Sequence, residues 1–223
     1  MINRIPIGDQ ITALASALGL DPSSALAYAQ GLPGCPGYAE GWFAFPSVPA
    51  LGRKHFPDVL DPAERHCRAV QFVMNQVSES GQLRGEYRED LIVPARLRQH
   101  ERTARSLEEV ARAQPGDILI VAAQTGWYQR GKPAHWARRE LAENEFGLDT
   151  VALGSLILTH PDEATWWKQR TVNCLGDDLD PGAQGNYSHV PVFIFMKDTA
   201  WYGARSYYAN CIEGGSATGF VPR

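Results

Sequence analysis

The chain has 223 residues, 44% hydrophobic and 21% charged, enough for one large domain with a sizeable core or two small ones. Its formal net charge of -4 supplies no field that would gather nucleic acid or anionic lipid, and the arginines between 96 and 112 alternate with Glu101, Glu108 and Glu109. Nucleic acid is therefore not an expected partner.

The opening MINRIPIGDQ lacks the apolar core of a secretory signal, and no apolar stretch approaches the ~20 residues that cross a bilayer. No membrane partner and a cytoplasmic location are expected. Only four of the 21 basic residues are lysine, an arginine skew of the kind produced by a GC-rich bacterial genome. Cys35, Cys67, Cys174 and Cys211 lie far apart with no CxxC pair, so free thiols are expected rather than a zinc knuckle or a disulfide framework.

Asp9 is expected to cap a run of Ile11, Leu14, Ala15 and Leu18, a helical spacing that stops at Gly19, and Asp21-Pro22 opens a second helix through Ala29. Neither carries a Lys or Arg between Asp9 and Gln30, and a DNA-reading helix without cations could not offset phosphate repulsion, so that reading of the helix pair is not the expected one. Gly31 to Pro57 is rich in Pro, Gly and aromatics and reads as an irregular wrap with one short strand at Trp42 to Phe45. Asp61-Pro62 caps a helix whose apolar stripe runs through Cys67, Val70, Val73, Met74 and Val77 to about Gly81. Leu91 to Ala113 predicts a further helix, entered after Pro94.

Pro115-Gly116-Asp117 is a turn before Ile118 to Ala123, a continuous apolar run expected as a strand buried on both faces. Pro133 to Phe146 reads as a helix and Thr150 to Thr159 as a second buried strand, which together would make a crossover unit. Val190 to Met196, Trp201 to Tyr208 and Gly214 to Val221 read as antiparallel strands, with Lys197-Asp198 as a turn. The expectation is a single α+β domain over 1–223, helical and irregular over 1–114, with a mixed sheet mainly over 115–223.

No GxGxxG, GxxxxGK[ST], GxSxG, HExxH or EF-hand spacing occurs, so the sequence identifies no cofactor and no metal ligand set. His160 and His189 both border expected β segments, where side chains can meet at a cleft. With Asp162, Asp177 or Asp178 in reach they would form an acid/base pair or a His/carboxylate metal site. On their own, His160 caps a turn before Pro161 and His189 begins a strand. His55 sits in the irregular aromatic segment, His135 in the first turn of a helix, and His100 on a solvated helix face. His66 and Cys67 are adjacent on a helix and cannot face the same way, so they make no nucleophile-base dyad.

Cys174, in TVNCLGDDLD, is a candidate nucleophile or a small buried hydrophobe. Trp127, Trp136, Trp166, Trp201 and their tyrosine neighbours cluster in the second half. They would serve a ligand pocket, with Arg130 or Arg205 for an anionic group, or a subunit surface in a homo-oligomer. QPGDILIVAA resembles the PGD turn and strand of NlpC/P60-like hydrolases, and SHVPVFIF is similar to their histidine-bearing strand. That resemblance implies a cysteine hydrolase, but Cys67 lies inside its helix without the family's surrounding glycine and serine pattern.

The leading expectation is a small-molecule enzyme using histidine/carboxylate acid-base or metal chemistry in an aromatic-lined pocket. The rival is a non-catalytic ligand-binding or protein-interaction module, and a cysteine-dependent hydrolase comes third.

Overall fold

The computed structural model describes residues 5–83, 88–161, 170–196 and 199–222. Its first half begins with α1 (Ile7–Leu18), which ends on the left-handed Gly19, and α2 (Ser23–Ala29). β1 (Gly41–Pro46) follows from the Pro/Gly-rich wrap, then α3 (Val48–His55) and α4 (Pro62–Glu79). α4 starts where expected: the Asp61 side chain accepts from Glu64 N at 2.8 Å and Pro62 occupies the first turn.

The expected helix over Leu91 to Ala113 is instead three pieces: a 3-10 turn at Glu89–Leu91, β2 (Leu97–Gln99) and α5 (Glu101–Ala113). His100 breaks the run, its extended backbone letting Nδ1 accept from Arg102 N at 3.2 Å as an N-cap.

β3 (Ile118–Gln124) is buried at every position, as its apolar run predicts. It is followed by α6 (Ala134–Arg139), β4 (Glu145–Gly147) and α7 (Thr150–Thr159). α7 is the main departure from the sequence reading, which has a strand there. A run apolar on all sides suits a buried helix as well as a buried strand. What decides is Asp149, whose Oδ1 accepts from Ala152 N at 2.9 Å and starts the helix. Nine of the ten residues of α7 are buried, and Ser155 and Thr159 are satisfied by carbonyls one turn back, at Val151 and Ser155. The crossover unit disappears with that strand.

The last third supplies β5 (Arg170–Asn173), β6 (Asp177–Leu179), β7 (His189–Met196), β8 (Thr199–Ser206), β9 (Gly215–Ser216) and β10 (Thr218–Phe220). The fold is thus α+β, with helices mostly N-terminal and strands mainly C-terminal. One sheet has the order β1-β3-β10-β4 and is antiparallel throughout. The other has the order β2-β6-β7-β5-β9, with β8 added to β7 and only β9 running parallel to its neighbour β5.

α7 packs against α1, α4 and β1, so the core joins Leu14, Val73 and Phe45 from the first half to Leu153, Phe193 and Phe195 from the second. No described helix is long and apolar enough to cross a membrane. The expected turn at Lys197-Asp198 lies outside the described residues.

Candidate functional site

Two chain segments cross where α7 begins. Gly147 to Asp149 runs against Leu175 to Asp177 so closely that a Cβ on Gly147 would stand 2.5 Å from Leu175 C, and one on Gly176 would stand 2.5 Å from Gly147 O. Only glycine fits either position. The crossing is pinned by Gly176 N donating to Leu148 O at 2.8 Å. Its consequence is that Asp149 and Asp177 both arrive at the N-terminus of α7.

There they share one imidazole. His66, on the first half of α4, donates from Nε2 to Asp177 Oδ1 at 2.8 Å. Asp177 Oδ2 accepts from the backbone N and the hydroxyl of Thr150 at 2.7 and 2.6 Å. Asp149 Oδ2 accepts from Gln99 Nε2 at 2.7 Å, and its other oxygen caps α7. All three ionisable groups are buried, and one donor atom from each lies within 4.8 Å of the others. His66 Nδ1 is buried with no hydrogen-bond partner among the described residues.

The charges do not balance. Burial opposes protonation of His66, but the facing Asp177 outweighs it and raises the imidazole above its ordinary value. Burial and then the charge of Asp177 push the Asp149 carboxyl up, against the pull of His66 and of its own hydrogen bonds. With both carboxylates ionised, two of them against one imidazolium leave surplus negative charge among buried groups. Such a site is completed by a proton or by a cation. His66, Asp149 and Asp177 are the residues that could hold a divalent metal ion, as imidazole and carboxylate donors suit zinc, manganese or iron.

His66 and Asp149 also line a cavity of about 320 Å³. One wall is the inner face of α5, where Ala104, Leu107 and Ala111 recur at helical spacing with Glu108 beside them. Phe45, Val48 and Leu119 close the other side, and Arg65 stands at α4 with its guanidinium anchored on Val59 O at 2.9 Å. An aromatic-lined pocket was expected. Among the described residues this cavity is walled by aliphatic side chains and proline, with Phe45 its one Phe, Tyr or Trp, while Trp127, Trp136 and Trp201 are exposed.

Of the residues singled out from sequence, Asp177 belongs to this cluster and the other described ones are placed elsewhere. His160 ends α7, nearly buried, donating from Nδ1 to Leu156 O at 3.1 Å and packing on Phe43, and burial lowers its pKa. His189 begins β7, beside the hydroxyl of Ser188 and paired in register with Leu179 and Ser206. Among the described residues no hydrogen bond or ring contact joins the two, and neither lines the cavity above. Asp162 and Trp166 lie outside the described residues.

Asp178 is held by Arg98, Arg138 and Tyr207, on the opposite face of β6 from Asp177. Arg130 stands 5.2 Å over the ring of Trp127, which is half exposed. Arg205 reaches Asn210 O and Thr171 Oγ1, and Trp201 lies on the exposed side of β8. His55 donates to Leu18 O at 2.8 Å and stacks on Phe72, and His135 donates to Tyr207 O.

Burial pushes the Cys67 thiol up to about 12 and the Cys174 thiol well above its ordinary value, so neither is a ready thiolate. The sequence reading set His66 aside because Cys67 could not join it. The usable signal was a histidine on an apolar helix face together with the cap-like Asp149-Thr150. No family model matches this chain, and the searches of curated proteins and of solved structures also found no match.

Proposed function

We propose that the protein is a small-molecule enzyme whose centre is His66, Asp149 and Asp177 carrying a divalent cation, with the substrate's apolar body in the adjoining cavity. One observation carries the reading: two buried carboxylates converge with a single histidine, leaving surplus negative charge beside a cavity of about 320 Å³. A divalent ion with a neutral imidazole balances that charge, and it would supply a Lewis acid able to activate water. Around it, Gln99 orients Asp149, Thr150 orients Asp177, and α5 keeps water from the apolar side of the cavity.

The test is elemental analysis and equilibrium dialysis of purified protein against zinc and manganese. One ion per chain is expected, with a rise in Tm on loading that Asp149→Asn removes while still folding, since asparagine also caps helices. No stoichiometric uptake of either ion would overturn the reading. The alternative is a non-catalytic binding module in which the cluster only clamps α4 to α7. It is favoured by the full hydrogen bonding of both Asp177 oxygens, and it requires an unchanged Tm on metal addition.

A further inference from the structure

We infer that a second cavity, of about 190 Å³ between the start of α5 and the end of α6, binds an oxyanion, the phosphate or carboxylate group of a small ligand. Its polar lining is His100, Arg102, Arg138 and Arg139, over a floor of Leu141, Gly147 and Leu175. It lies off the opposite face of the β2/β6 ladder from the His66 cluster. Gln99 pairs with Asp177 on one side of that ladder, while Arg98 pairs with Asp178 on the other. The inference stands independently of the metal reading.

The cationic wall is rigid. Arg138 donates to Leu175 O, Asp177 O, Asp178 and Tyr207, so it acts as a fixed charge rather than as a free donor. Arg102 is held through Nε and Nη2 by the carbonyls of Glu145, Ala142 and Glu143, and its Nη1 carries none of these bonds. Arg139 is exposed, 5.6 Å over the ring of Trp136. Asp178 is shared between Arg98 and Arg138, so it cannot also neutralise Arg102 and Arg139.

His100 adds a neutral donor. Its Nδ1 accepts from Arg102 N, which places the ring proton on Nε2, and burial followed by the charge of Arg138 lowers its pKa, against Asp178 and Glu101. The first backbone N–H groups of the 13-residue α5 begin at this cavity. Anchored guanidinium charges, an imidazole N–H and a helix N-terminus around one hollow are what an oxyanion requires.

The test is NMR titration of the whole protein with sodium phosphate, sodium acetate and, at matched ionic strength, sodium chloride. Saturable shifts of the His100 ring and the Arg139 Nε–H are expected with phosphate or acetate at about 10 mM or below, with a rise in the His100 pKa and no saturation with chloride. The preferred anion names the ligand group. Arg139→Gln should weaken binding about threefold, the size of one exposed ionic contact. Arg105→Gln removes an equal charge from the exposed side of α5, where Arg105 pairs with Glu101, and should leave the affinity unchanged. Shifts that never saturate, or equal weakening by both substitutions, would overturn the inference.

Discussion

Asp177 and Asp178 are neighbours on a three-residue strand, yet their surroundings differ in kind. Asp177 faces a histidine, a helix N-terminus and a second carboxylate. Asp178 faces two arginines and a tyrosine hydroxyl. Strand alternation sends adjacent side chains to opposite faces, so one residue of register separates a region with surplus negative charge from one with surplus positive charge. A buried carboxylate is therefore informative through the sign left over after its partners are counted. By that measure the Asp177 side invites a cation and the Asp178 side an anion.

Removing Asp177 should have the largest effect. Asp177→Ala strips His66 of its buried partner and frees the start of α7, and a loss of about 3 to 5 kcal/mol in urea denaturation is expected. Gly176→Ala attacks the same region through the main chain. Its Cβ would need to fit 2.5 Å from Gly147 O, so a loss of about 3 kcal/mol is expected, with weaker uptake of any metal. Asp178→Ala leaves Arg98 and Arg138 without a counter-charge but spares α7, and should cost about 2 kcal/mol. If it cost as much as Asp177→Ala, the distinction between the two faces would fail.

Acid sharpens the same contrast. Burial alone would raise the Asp178 carboxyl, but Arg138 and the Tyr207 hydroxyl hold it below its ordinary value. A depressed folded pKa gives stability that is present above the unfolded value, near pH 4, and is lost as pH falls through the lower folded value. The stability gap between the wild type and Asp178→Asn should therefore close on acidification, as urea midpoints measured across that range would show. The smallest effect expected is on the thiols. Brief alkylation of the native protein at neutral pH should label the exposed Cys35 and spare the buried Cys67, Cys174 and Cys211. Rapid loss of all thiols would show that the core around α4 opens far more than its packing implies.

Much of the fold was legible from local chemistry. Asp61-Pro62 announced α4, Gly19 ended α1, and the buried run at Ile118 named β3, because caps, breakers and apolar runs act within a few residues. α7 was not legible as a helix from periodicity, because a helix buried on every side has no polar stripe. That misreading also hid Asp149, which is a cap only if a helix follows it. β2 escaped notice because three residues between a 3-10 turn and a helix carry no alternation long enough to count.

The centre was illegible for a different reason. His66, Gln99, Asp149 and Asp177 come from four elements separated by as many as 111 positions, and nothing local records that they meet. The adjacent aspartates of LGDDLD were visible as candidates, but which of them faced which partner depended on a register set by the whole sheet.

The glycine crossing gives the centre an independence that most side-chain clusters lack. Because Gly147 and Gly176 touch through main-chain atoms, the separation of the two strand ends that carry Asp149 and Asp177 is set by peptide geometry rather than by neighbouring rotamers. Donor chemistry can then be exchanged without rebuilding the frame. Asp149→His or Asp177→Cys would present softer ligands from the same two anchor points, making the crossing a fixed template on which the metal preference of the proposed centre is retuned one residue at a time.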